Sequence, residues 1–169
     1  MKASDPNQSG SATTIMGVDP GGEVTGFGVV RREGNTTHMI ASGASRARRG
    51  ESLAEKLSRV FGFVQEIIEK YRPDALAVED IFYGRNVQSL KSIGQIRGVI
   101  ILAGSLAGVS IYEYSPREVK KAVVGRGDAS KEQVQKMIQA LLGLESAPKP
   151  HDAADALAIA LCHSHRRQF

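Results

Sequence analysis

Apolar positions organise this chain into short runs first and longer periodic stretches later. Thr14-Ile15-Met16-Gly17-Val18 predicts a strand that stops at Asp19-Pro20-Gly21-Gly22, where Pro presets its own φ and Gly tolerates the turn. Thr25-Gly26-Phe27-Gly28-Val29-Val30 resumes the strand pattern, and Glu33-Gly34-Asn35 marks a second turn. His38-Met39-Ile40-Ala41-Ser42-Gly43 then gives a third strand, so the three read as an antiparallel meander. From there the period lengthens. Leu53, Leu57, Val60, Phe61, Val64, Ile68 and Tyr71 recur on one helical face behind Ser52-Leu53-Ala54-Glu55, a capping box, and Pro73 forbids continuation. Ala75-Leu76-Ala77-Val78 is continuously apolar, the signature of a strand covered on both faces, and ends in Glu79-Asp80. A second helix opens at Gly84-Arg85-Asn86 and runs to Leu106, and Val109-Ser110-Ile111-Tyr112-Glu113 is a fifth strand. Helix starts follow at Ser115-Pro116-Arg117-Glu118 and Ser130-Lys131-Glu132-Gln133, and a last helix runs from His151 to Cys162. The pattern sums to βββαβαβα with a terminal helix: an α/β fold whose mixed sheet carries helices on both faces.

Composition narrows the class. The chain has 169 residues with 41 % hydrophobic and 24 % charged, a mixture that supports one core. Residues 1–13 are polar and aperiodic and read as a disordered leader; residues 14–169 read as one domain. Neither a signal peptide nor a membrane-length apolar run is present, and the single cysteine, Cys162, excludes an internal disulfide. The expectation is a cytoplasmic protein. A formal charge of +4 says little until its clustering is seen: Arg31-Arg32, Arg46/Arg48/Arg49, Lys120-Lys121, Arg126/Lys131/Lys136 and Arg166-Arg167 form short basic groups, as in polyanion binders.

Against that basic background, certain acids stand out. Asp19 and Glu79 each end an apolar strand, and ligands gather at strand ends in open α/β sheets. Asp152 and Asp155 are three residues apart on a helix otherwise built from Ala, Leu and Ile, so both project from one face. Taken singly, each has an ordinary reading: a turn for Asp19, a helix cap for Asp152, an ion pair for Asp155. Taken together, carboxylates at neighbouring ends repel unless a divalent cation neutralises them, and no cation follows any of the three acidic positions locally. Oxygen ligands suit Mg²⁺ or Mn²⁺, and three or four carboxylates make the ligand set of a two-metal phosphoryl-transfer site. With those four acids set aside, 22 cations face 14 remaining acids, a basic body around an acidic hole.

The segments Gly17-Val18-Asp19-Pro20-Gly21, Val78-Glu79 and His151-Asp152-Ala153-Ala154-Asp155-Ala156-Leu157-Ala158 resemble the three signature blocks of the RuvC family of crossover-junction endonucleases. Gln95-Ile96-Arg97-Gly98 and the stretch from Val119 to Gly125 are similar to family segments as well. The resemblance implies an RNase H-like fold with a five-stranded mixed sheet and a homodimer that makes paired, symmetric nicks across a four-way (Holliday) DNA junction in recombination and repair. It implies Asp19, Glu79, Asp152 and Asp155 as catalytic acids holding two Mg²⁺ or Mn²⁺ ions. By the same match Phe82 stacks on a base near the crossover, Tyr83 accompanies it, and Lys120 and Lys131 hold phosphates. Some relatives carry His at one acidic position of the last helix; here His151 stands beside Asp152, as a neighbour of the ligands or a general acid/base. The branch-migration proteins RuvA and RuvB are implied as partners.

Rival readings have their own sequence features. Asp19-Pro20-Gly21-Gly22-Glu23-Val24-Thr25-Gly26 resembles the phosphate hairpin of actin-like nucleotide-binding proteins, but those carry two such domains and a second hairpin. A single-domain family acting on ribosomal RNA precursors shares the fold and fits the His151–Ala158 block less well. A basic junction-binding protein without catalysis is the third alternative.

Overall fold

The computed structural model describes residues 12–81 and 87–166. Most of the polar leader, Phe82, Tyr83 and the expected start of the second helix lie outside the described residues. The elements are β1 (Thr13–Asp19), β2 (Val24–Glu33), β3 (Thr36–Arg46), α1 (Leu53–Tyr71), β4 (Ala75–Glu79), α2 (Val87–Leu106), β5 (Ser110–Tyr114), α3 (Pro116–Val124), α4 (Lys131–Leu141) and α5 (His151–Ser164). The Ser115 and Ser130 signals each open a helix of their own, so three helices follow β5 rather than the two in the summed pattern. Ser52, Ser115 and Ser130 all form the expected capping boxes, each accepting from a backbone N–H three residues on. β2 and β3 run past their apolar stretches, because the ladder continues through Arg31–Thr36 after the core has ended.

The sheet order is β3-β2-β1-β4-β5, with β1, β2 and β3 antiparallel and β4 and β5 parallel to β1. Alternation along β1 and β4 sorts the two cores. Met16, Val18, Leu76 and Val78 pack under α1 and α2 with Val60, Val64, Ile96 and Ile100. Ile15, Ala75 and Ala77 face the opposite side, under α5, with Leu157, Ile159 and Leu161. By the same period of two, Asp19 and Glu79 emerge on the α5 face.

That face is built for close approach. A Cβ on Gly17 would lie 2.1 Å from the Ala156 carbonyl oxygen, and one on Gly26 would lie 2.1 Å from the Asp152 carbonyl oxygen. One on Gly28 would meet the Leu157 side chain at 2.7 Å. Gly17 pairs with Gly28 across β1 and β2, and Asp19 pairs with Gly26. Bare backbone thus forms a trough in which α5 lies against the strands, with Ala153, Ala156 and Ala160 fully buried along it. At its far end the Tyr114 hydroxyl meets His163 Nδ1 at 2.7 Å, and the Arg32 guanidinium donates to the Ser164 carbonyl. Both contacts fix the direction of the helix.

Candidate active site

The first acid is a strand residue, not a turn residue. β1 extends through Asp19, and the turn begins after it, closed by the buried Thr25 hydroxyl donating to the Gly21 carbonyl at 3.4 Å. β4 lies beside β1 with Val18 opposite Val78, so Asp19 and Glu79 occupy the next rung of adjacent parallel strands. The Gly26–Asp152 contact brings the start of α5 to that rung. α5 is capped at Pro150 with no side-chain cap bond, so Asp152 does not serve as the helix cap. The four acids come from three separate stretches of chain.

Their electrostatics show that they share one place. Burial, then the charges of Glu79, Asp155 and Asp152, hold the Asp19 carboxyl up at about 7 from an ordinary 3.8, and the Lys131 ammonium pulls the other way. Lys131 Nζ donates to Asp155 Oδ2 at 2.7 Å, and this bond, with the neighbouring carboxylates, raises the lysine above its usual range. The ordinary reading of Asp155, an ion pair, therefore holds in part. Its cation comes from the first residue of α4, 24 positions upstream, where no local reading of the sequence would look.

The other expected residues divide. Lys131 sits at the acids. Lys120, on α3, is half-buried and makes no hydrogen bond or ion pair among the described residues. His151 is exposed at the start of α5, with Nδ1 at 2.9 Å from Gln135 Nε2 of α4. Arg97 of α2 is legible in the sequence only as part of a family-like segment, yet it has a structural task. Its Nη2 lies 3.2 Å from Asp80 Oδ1 and also pairs with Glu113 of β5, while its buried Nε has no partner among the described residues. The guanidinium thus ties the residue after Glu79 to the edge strand.

A family model of the crossover junction endodeoxyribonuclease RuvC matches residues 15–163. The chain belongs to the RuvC family. A RuvC from Heliobacterium modesticaldum is 48 % identical over 151 residues, covering 89 % of this chain and 93 % of its own. The one from Rubrobacter xylanophilus is 49 % identical over 154 residues, covering 90 % and 86 %. Among solved structures, Thermus thermophilus RuvC in complex with a Holliday junction substrate superposes with a TM-score of 0.86 at 36 % identity, covering 90 % of this chain and 93 % of that one. The five-stranded mixed sheet and its flanking helices are thus the RuvC architecture, as the resemblance implied. Among the described residues no helix is long and apolar enough to cross a membrane.

RuvC nucleases depend on metal, and the donor set here fits that chemistry. Lys131 bonds Asp155 and lies near Asp19 and Asp152, and burial together with the unbalanced acidic charge shows in the proton that Asp19 retains up to about 7. Among the described residues no three His, Cys, Asp or Glu side chains stand close enough together to share one ion.

Proposed function

We propose that the chain resolves four-way DNA junctions by paired, symmetric, metal-dependent nicks, acting in recombination and repair. The observation that carries this is the electrostatic coupling of four acids at one end of the sheet: burial, and then the charges of Glu79, Asp155 and Asp152, hold the Asp19 carboxyl up at about 7. The RuvC family match over residues 15–163, and the junction bound in the Thermus thermophilus complex, support the substrate.

In this reading Asp19, Glu79, Asp152 and Asp155 hold two Mg²⁺ or Mn²⁺ ions. When bound, the ions supply an activated water and stabilise the leaving oxygen in an in-line displacement. The protein's own contribution is positional. Adjacent strands and the glycine trough set the four carboxylates without intervening side chains. Asp19 gives up its retained proton when positive charge arrives. Lys131, at the mouth of the cluster, exchanges its bond to Asp155 for an oxygen of the scissile phosphate and keeps that group in register. Lys120 holds a second phosphate from α3. Phe82 and Tyr83 follow Glu79 by three and four residues and stack on bases at the crossover, while His151 orders the start of α5 through Gln135. Two copies acting on a two-fold substrate account for paired nicks, and the outer face of α2 supplies an apolar contact for a homodimer. RuvA and RuvB would deliver the junction.

A synthetic four-way junction incubated beside linear duplex, with Mg²⁺, Mn²⁺ or EDTA, tests the proposal. Symmetric, metal-dependent nicks in the junction alone are expected, and D19N should bind the junction normally while cutting at least a hundredfold slower. Binding without cleavage in either metal would favour a junction-binding protein without catalysis.

A further inference from the structure

The basic cluster Arg46/Arg48/Arg49 has no part in the site described above, and the fold gives it a definite setting. These residues line an open groove of about 860 Å³ between the end of β3 and the first half of α1. Its back wall is rigid. The Arg59 guanidinium donates to the Glu51 carboxylate through Nε at 2.8 Å and Nη2 at 3.1 Å, and to Ser45 Oγ at 2.5 Å. Glu51 is only 5 % exposed and also accepts the Arg48 backbone N–H at 3.2 Å. Glu55 is spent in its capping box with Ser52, so Glu66 is the remaining acid on the lining. In contrast, the guanidiniums of Arg46, Arg48 and Arg49 make no hydrogen bond or ion pair among the described residues, and all three residues are exposed. The groove therefore offers three uncommitted planar cations against one remaining lining acid, Glu66, with Glu51 held by Arg59 and Glu55 by Ser52.

Its location relates it to the acids. Asp19, Gly26 and Ala44 form one rung across β1, β2 and β3, and Arg46 lies two residues beyond Ala44 in the same direction as the acids' end of the sheet. Strand spacing and rise put Arg46 about 12 Å from Asp19, roughly the axial length of three to four base pairs of duplex. Ala47 N–H donates to the Glu23 carbonyl at 2.8 Å, which fastens this corner to the turn after Asp19.

We propose that the Arg46/Arg48/Arg49 groove docks the sugar–phosphate backbone of a duplex arm flanking the cleavage point, independently of base sequence. This rests on the junction-cutting function proposed above. Uncommitted guanidiniums suit phosphate oxygens by charge and by bidentate geometry. Among the lining residues the one aromatic, Phe63, carries no hydrogen-bonding group, and there is no Asn or Gln to read a base edge.

The test is binding of a labelled four-way junction by the full chain in EDTA, followed by anisotropy across a KCl series. R46A/R48A/R49A should weaken binding at least tenfold at intermediate salt and reduce the slope of log Kd against log [KCl] by roughly 2–3, about 0.9 for each phosphate no longer neutralised. R46K/R48K/R49K should retain most of the slope. R31A should leave it unchanged, because Arg31 pairs with Glu33 at the opposite end of the sheet. An unchanged melting temperature for the alanine variant shows that the fold is intact. If that variant binds the junction with wild-type affinity and slope, the groove is not a docking site, while junction cutting itself stands. If the wild-type chain binds no junction, both proposals fall together.

Discussion

A carboxyl that keeps its proton to about 7 sets protons and cations in competition at one residue. In the unfolded chain Asp19 releases its proton near 3.8, so between about pH 4 and pH 7 the folded state holds a proton that the unfolded state has lost. Stability of the cation-free protein therefore falls as pH rises through that window. If Asp19 holds the ion as proposed above, a divalent cation displaces the proton and reverses the trend. The melting-temperature gain from saturating Mg²⁺ should be small near pH 5 and larger by on the order of 5 °C near pH 8, and D19N should abolish the difference. A gain independent of pH would remove Asp19 from the cation site. Asp19 and Glu79 were legible in the sequence because an apolar strand ending in a charge is costly without a partner. The Lys131–Asp155 pair was not, because a salt bridge across 24 residues leaves no local pattern. Arg97 was hidden for the same reason: its carboxylate partners, Asp80 and Glu113, come from the end of β4 and from β5.

At the scale of elements, α5 depends on glycines that no hydrophobic pattern would single out. Gly17 and Gly28 lie inside predicted strands, where glycine offers no side chain to pack, yet they are the contact surface for the helix that carries Asp152 and Asp155. G17A should lift α5 from β1 and cost about 3 kcal/mol, a fall in melting temperature on the order of 8 °C measured by calorimetry. Gly62, in the middle of α1, has open space where a Cβ would go, so G62A should stabilise the fold by about 0.5–1 kcal/mol, seen as a small rise in melting temperature. A harmless G17A would mean that α5 does not rest on the sheet backbone. Strand and helix existence, and most starts, followed from period and capping: Ser52, Ser115 and Ser130 each mark a helix within a residue. Strand ends were less legible, since β2 and β3 keep pairing through Arg31, Arg32 and Glu33, where no apolar side chain signals it.

For the whole molecule, α2 is the element with more apolar surface than the fold uses. Ile96, Ile100 and Ala103 are buried against the sheet, while Leu102 and Leu106, one turn apart on another face, stay 51 % and 67 % exposed. If that face joins two copies, L102E/L106E should halve the mass measured by light scattering and convert paired nicks to single ones while each site stays intact. An unchanged mass would place the dimer contact elsewhere. The sheet order β3-β2-β1-β4-β5 has a consequence in time as well as in space. The four acids sit at positions 19, 79, 152 and 155, and the helix bearing the last two covers the glycine trough. A chain leaving the ribosome releases all five strands before α5, so two of the four acids emerge after the whole sheet. The nascent protein therefore cannot assemble the four carboxylates until α5 has emerged and settled on the trough, and cleavage competence arrives in one step with that closure.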